Sequence, residues 1–148
     1  MDLNNIDQQS IDKDWFFLSG EHVVFVASGG GKIPSSVIRN WDMSNKLSSF
    51  FRELPPRSGF KLNAKLDDIL KGKVNKEYLR DFIFMAERGL FTFDKTHLNT
   101  FESTSYHAVA IPDNPLDFSS IPELFLIELK KTSYLGVLDE VIDIANIL

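Results

Sequence analysis

The stretch Ser28-Gly29-Gly30-Gly31-Lys32 follows directly on the apolar run His22-Val23-Val24-Phe25-Val26-Ala27. Three glycines lift the usual Cβ restriction, so successive backbone N–H groups could converge on an anion, and Lys32 would add a charge. A phosphate loop needs more than this: two glycines at wider spacing, then Lys and Ser/Thr opening a helix. Here Ile33 and Pro34 follow Lys32, so the Gly29–Gly31 run fits an anion cradle and equally an ordinary turn. The histidines, His22, His97 and His107, show no i, i+4 pair of the kind that binds metal on a helix, and no metal or cofactor is expected. No serine stands in a Gly-x-Ser-x-Gly elbow, and the absence of cysteine removes thiolate nucleophiles, thiolate metal sites and disulfides. Asp139, Glu140 and Asp143 form an acidic group. Asp139 and Asp143 are i, i+4 and repel unless solvated or met by a cation, so they read as a solvated face, as a contact for a basic partner, or as an acid–base pair. Asp113 and Asp117 lie in a proline-punctuated loop, and Trp41 sits in the polar stretch Arg39-Asn40-Trp41-Asp42, where it either caps the core or anchors a partner.

Charge is unevenly distributed along the chain. The net charge of −5 hides a basic middle, residues 57–80, with seven Lys and Arg against three acids. It also hides an acidic end, residues 101–148, with eight acids against Lys130 and Lys131. An acidic protein is poorly suited to bind nucleic acid directly, because that affinity comes largely from neutralising phosphates. It is suited to a basic protein partner, approached by electrostatic steering. The basic residues Lys61, Lys65, Lys71, Lys73 and Lys76 carry no interleaved stacking aromatics, which also speaks against nucleic acid. The polar, acidic start of the chain lacks the pattern of a secretory signal, and no apolar run approaches the ~20 residues of a spanning helix. A cytoplasmic protein with no membrane contact is therefore expected.

The elements that must position these residues follow from periodicity. With 43% apolar residues over 148 positions, a single domain with its own core is expected. Residues 1–13 show no apolar period and are expected to be mobile. Strands are predicted at 15–18 and 22–27, joined at Ser19-Gly20-Glu21, and again at 90–93 and 106–111. A helix over 45–54, capped by Ser44, would bury Leu47, Phe50, Phe51 and Leu54. Pro55-Pro56 would stop it. A short helix over 64–71 is predicted after Asn63, and a strong one over 76–88 between Asn75 and Gly89. Residues 123–131 fit either period, and a strand is expected there. Residues 134–148 are expected to be helical, with Leu135, Leu138, Ile142, Ala145 and Leu148 inward and the three acids outward. The sum is an α+β domain: an antiparallel or mixed sheet of four to five strands with about four helices packed against it.

One segment adds a family likeness. Ala86-Glu87-Arg88-Gly89, Leu90-Phe91-Thr92-Phe93-Asp94, Tyr106-His107-Ala108-Val109-Ala110-Ile111-Pro112, Asn114-Pro115-Leu116 and Ile121-Pro122 together resemble small cytosolic immunity proteins of bacterial polymorphic-toxin and contact-dependent inhibition systems. The likeness covers residues 80–122 and contains structural residues but no catalytic motif. It implies a protein without enzymatic activity that binds one cognate toxin domain, often a basic nuclease, and blocks its active site. The likeness transfers no site; charge and position point to Asp139, Glu140, Asp143, Asp113 and Asp117 as the partner-binding residues, with Trp41 as a further candidate. The alternatives are a small-ligand or phosphate-binding protein or enzyme built on the Gly29–Gly31 loop with Lys32 and His22 or His107, and a self-associating subunit.

Overall fold

Along β1 (Asp14–Ser19) the side chains alternate between two interiors, Trp15 and Phe17 to one side, Phe16 and Leu18 to the other, and all four are buried. The same alternation runs along β2 (His22–Ala27), where Val24 and Val26 join Trp15, and Val23 and Phe25 join Phe16. A strand buried on both faces must lie inside a layered sheet. The computed structural model, which describes residues 4, 8, 13–27 and 30–147, shows that sheet: five strands in the order β1-β2-β4-β5-β7. The other strands are β4 (Phe91–Lys95), β5 (Ser105–Ala108) and β7 (Val141–Asp143). The sheet is mixed, because β2 and β4 run parallel while the other neighbours are antiparallel. A ribbon of two strands, β3 (Phe60–Leu62) and β6 (Ala110–Pro112), flanks it.

Helices cover one face. From α2 (Trp41–Glu53), α4 (Lys76–Ala86) and α5 (Glu123–Leu129), the residues Phe51, Phe82, Met85 and Leu129 pack on Phe16, Leu18 and Phe25. On the other face Ile33, Val37 of α1 (Ser35–Arg39), Tyr134, Leu138 and Ile144 pack on Trp15, Phe17, Phe93 and Tyr106. One sheet is shared by both cores, so the chain is one α+β domain. Asn75 caps α4 by accepting from Tyr78 N at 2.8 Å. Gly89 ends the turn after it with φ +91°, where a Cβ would meet Leu116 N at 2.6 Å. The short α3 (Leu66–Ile69) falls inside the predicted 64–71 segment.

Four expectations need correction. Residues 123–129 form a helix rather than a strand: Pro122 supplies its N-cap, and Leu129 is buried while Leu124 and Ile127 face solvent. Residues 134–147 do not form the expected α-helix, and Leu148, expected inward, lies outside the described residues. The apolar spacing fits a helix by coincidence, but Val141, Ile142, Asp143 and Ile144 alternate exposed and buried with the period of a strand. Leu135, expected inward, is exposed, and a 3-10 turn, Ala145–Ile147, follows Ile144. The helix predicted from 45 starts at Trp41, and Ser44 is buried inside it rather than capping it. The predicted strand 106–111 breaks at Val109 into β5 and β6, which belong to different sheets. The expected mobility of residues 1–13 falls outside the described residues except at Asn4, Gln8 and Lys13. Of these, Gln8 and Lys13 are buried, with Gln8 Oε1 accepting from Ile33 N at 2.8 Å.

Candidate functional site

The break at Val109 is held by one hydroxyl. Val109 N still donates to Thr92 O at 2.9 Å, but beyond it the Thr92 side chain stands in for the ladder. Thr92 Oγ1 donates to Ala110 O at 2.8 Å and accepts from Ala110 N at 2.9 Å. A side chain between two backbones holds β6 away from β4, and β6 turns to pair with β3 instead. On the opposite face of β4 this divergence coincides with a groove of about 700 Å³. Phe91, Phe93, Ala108, Ile111 and Leu138 give it an apolar lining. Lys61, Leu62, Asn63 and Ala64 form one wall, and Asp113, Asp139 and Glu140 bring carboxylates to it.

The electrostatics of the rim are mixed. Glu140 is partly neutralised, since Lys65 Nζ lies 2.7 Å from its Oε2, and the same contact raises the Lys65 pKa. The basic middle of the chain thus meets the acidic end here. Asp139 Oδ1 accepts from the Glu140 N–H at 2.7 Å, and neither Asp139 nor Asp113 forms an ion pair among the described residues. Asp113 Oδ2 lies over Gly59, where a Cβ would come within 2.7 Å of it. The groove is therefore an apolar surface bearing two carboxylates available to a cation. That arrangement suits a lysine or arginine whose stem lies on the floor while its head meets the rim.

Polar chemistry on the helix-covered face is closed. Tyr78 Oη donates to Asp94 Oδ2 at 2.7 Å, and the Lys95 N–H donates to Asp94 Oδ1 at 2.9 Å. His107 is fully buried, with Nε2 3.3 Å from Tyr78 Oη and Nδ1 3.1 Å from Thr96 Oγ1. Because the Tyr78 proton points to Asp94, the network is consistent with Nε2–H donating to Tyr78 and Nδ1 accepting from Thr96, the neutral tautomer. Burial pushes the His107 pKa down to about 4, which keeps it uncharged. Burial, followed by the negative charge of Asp94, drives the Tyr78 pKa upward.

No family model, curated protein or solved structure matches this chain. The site is therefore read from its own residues. Among the described residues no group of three or more His, Asp and Glu side chains could hold a metal ion, and no helix is long and apolar enough to cross a membrane. Lys32 Nζ lies 2.6 Å from Glu102 Oε2. Of the glycine run, Gly29 lies outside the described residues, while Gly30 adopts φ +78°. His22 is exposed and stacks on Phe91 with ring centroids 4.6 Å apart, and His97 is exposed in the loop between β4 and β5.

Of the six residues expected to bind a partner, three converge: Asp113, Asp139 and Glu140. The other three have local roles. Asp143 accepts from Thr104 Oγ1 at 2.5 Å and Ala145 N at 2.9 Å, and these bonds lower its pKa. Asp117 caps the 3-10 turn Phe118–Ser120 through Ser119 N, and that hydrogen bond lowers its pKa. Trp41 is half-buried at the start of α2, with Lys13 Nζ 4.1 Å from its ring centroid. Sequence reasoning missed the apolar floor. Its only signal was that Phe91 and Phe93, two apart on a strand, must face the same side.

Proposed function

We propose that this chain is a cytoplasmic binding protein that neutralises a basic protein partner, a toxin domain with nuclease activity, by covering its active site. In this reading it makes and breaks no covalent bond. The observation that carries the reading is the groove, where Asp113 and Asp139 form no ion pair among the described residues beside an apolar floor. Carboxylates placed this way stand in for the phosphates that a nuclease cleft attracts, and the apolar floor supplies the water-excluded contact that a surface charge alone lacks. The closed network around His107 supports the same reading, because that histidine is committed to Tyr78 and Thr96.

The test is co-expression with the product of the adjacent gene, followed by co-purification and a survival assay. The expected result is a 1:1 complex that protects cells and weakens with salt. The triple variant Asp113→Asn/Asp139→Asn/Glu140→Gln is expected to bind at least about tenfold more weakly, the effect of losing about 1.4 kcal/mol. A wild-type protein that neither binds nor protects overturns the reading. So does turnover by the isolated protein that is abolished by replacing His22, Lys32 or His107.

A further inference from the structure

We propose that the segment 134–140 is the part of this molecule that enters the partner. Leu135 and Val137 fill an apolar cleft, and Asp139 and Glu140 meet cationic side chains at its edge. This rests on the reading above and names the partner's chemistry: a concave protein site, apolar within and lined at the mouth by Lys or Arg.

Leu135 is 97% exposed and Val137 84%, the two most exposed large apolar side chains among the described residues. Single exposed aliphatics are ordinary, but two flanking one glycine form a contiguous tip. The tip is pinned at both ends. Tyr134 N donates to Leu18 O at 2.7 Å, Leu138 packs into the second core, and Glu140 O accepts from Ala108 N at 2.8 Å. The Tyr134 ring meets Phe17 edge-on at 5.9 Å and folds over Gly136, where a Cβ would lie 2.5 Å from Cζ. A larger residue there would push the Tyr134 ring aside, so the glycine lets the ring lie over the tip. A pre-shaped apolar tip loses little freedom on binding.

Depressions lie on both sides of the segment. One is the groove. The other, of about 590 Å³, runs from Ser19 and His22 to Tyr134, and Phe91 and Leu138 line both. Leu135, Gly136 and Val137 themselves wall the second hollow, so the tip is the rim of that hollow beside the groove, an edge that a concave partner site can enclose. The charge beside it decides the class of partner. Asp113 and Asp139, which form no ion pair among the described residues, would repel an anionic lipid surface and attract the basic mouth of a protein cleft, while Lys65 pairs with Glu140 and Lys61 also lines the groove.

The experiment uses the purified product of the adjacent gene as the probe, with anionic phosphatidylcholine/phosphatidylglycerol vesicles as a second probe. Wild type, Leu135→Ser/Val137→Ser and Gly136→Ala are compared by calorimetry, with circular dichroism to show that each variant keeps its fold. The expected result is that the double variant binds the protein probe at least thirtyfold more weakly, that Gly136→Ala also weakens binding, and that no form binds vesicles. A photo-crosslinker at position 135 is expected to capture the probe. Tight wild-type binding with the double variant within twofold overturns this inference and leaves the proposed function standing. Absence of any wild-type complex overturns both, and vesicle binding that depends on Leu135 and Val137 assigns the tip to a membrane and overturns the inference.

Discussion

Asp94 and Asp139 belong to opposite faces of one sheet. Asp94, 6% exposed, accepts from Tyr78 Oη and Lys95 N beneath the helices. Asp139, on the open face, accepts a hydrogen bond only from the N–H of its own neighbour, Glu140, among the described residues. The covered region spends its polar groups on one another, in a network that includes a histidine, a tyrosine and a carboxylate. The groove region leaves Asp113 and Asp139 without an ion pair among the described residues, next to Phe91 and Phe93. The histidine, tyrosine and carboxylate of the covered face bond to one another, and the loop acids of the groove are the groups that the proposed function assigns to a partner.

That contrast can be broken at its hinge. Thr92→Val keeps shape but removes the hydroxyl that bonds both Ala110 N and Ala110 O, leaving two buried backbone groups unsatisfied. The expected loss is roughly 2–5 kcal/mol of unfolding free energy, read by urea denaturation. A loss under about 0.5 kcal/mol would mean that the hydroxyl does not hold the strands. The covered face is sharpened by pH. His107 has a folded pKa of about 4 against 6.5 in an unfolded chain, so between those values the unfolded state binds more protons. Stability is full above pH 6.5 and falls as pH drops toward 4, by at most about 3 kcal/mol from this group. His107→Gln is expected to flatten that slope in denaturation midpoints measured between pH 6.5 and 4.5. The smallest effect belongs to the groove face: Asp113→Asn/Asp139→Asn is expected to change stability by less than about 0.5 kcal/mol, read by the same urea denaturation, while on the proposed function it weakens binding of the partner. A large loss of stability there would place these acids among the structural groups.

Local signals made part of the fold legible. The β1–β2 hairpin, the Asn75 cap and Gly89 carry their instructions within a few residues. Residues 123–129 and 134–148 were misread because short apolar runs satisfy two periods at once, and packing against distant strands chose between them. The break at Val109 depends on Thr92, seventeen positions away, and has no local sign. Charge asymmetry pointed to Asp113, Asp139 and Glu140, yet it also pointed to Asp117 and Asp143, which bond within their own turns. Only the register of β5 against β7 brings Glu140 beside Ala108 and so to the groove.

The stretch that carries the apolar tip also lies along the outer rim of β1, where Leu18 N donates to Thr132 O and pairs in parallel with Ser133. An uncovered rim of this kind recruits strands from neighbouring copies. Residues 132–134 therefore occupy both backbone groups of Leu18 and leave less of that rim open to a second copy.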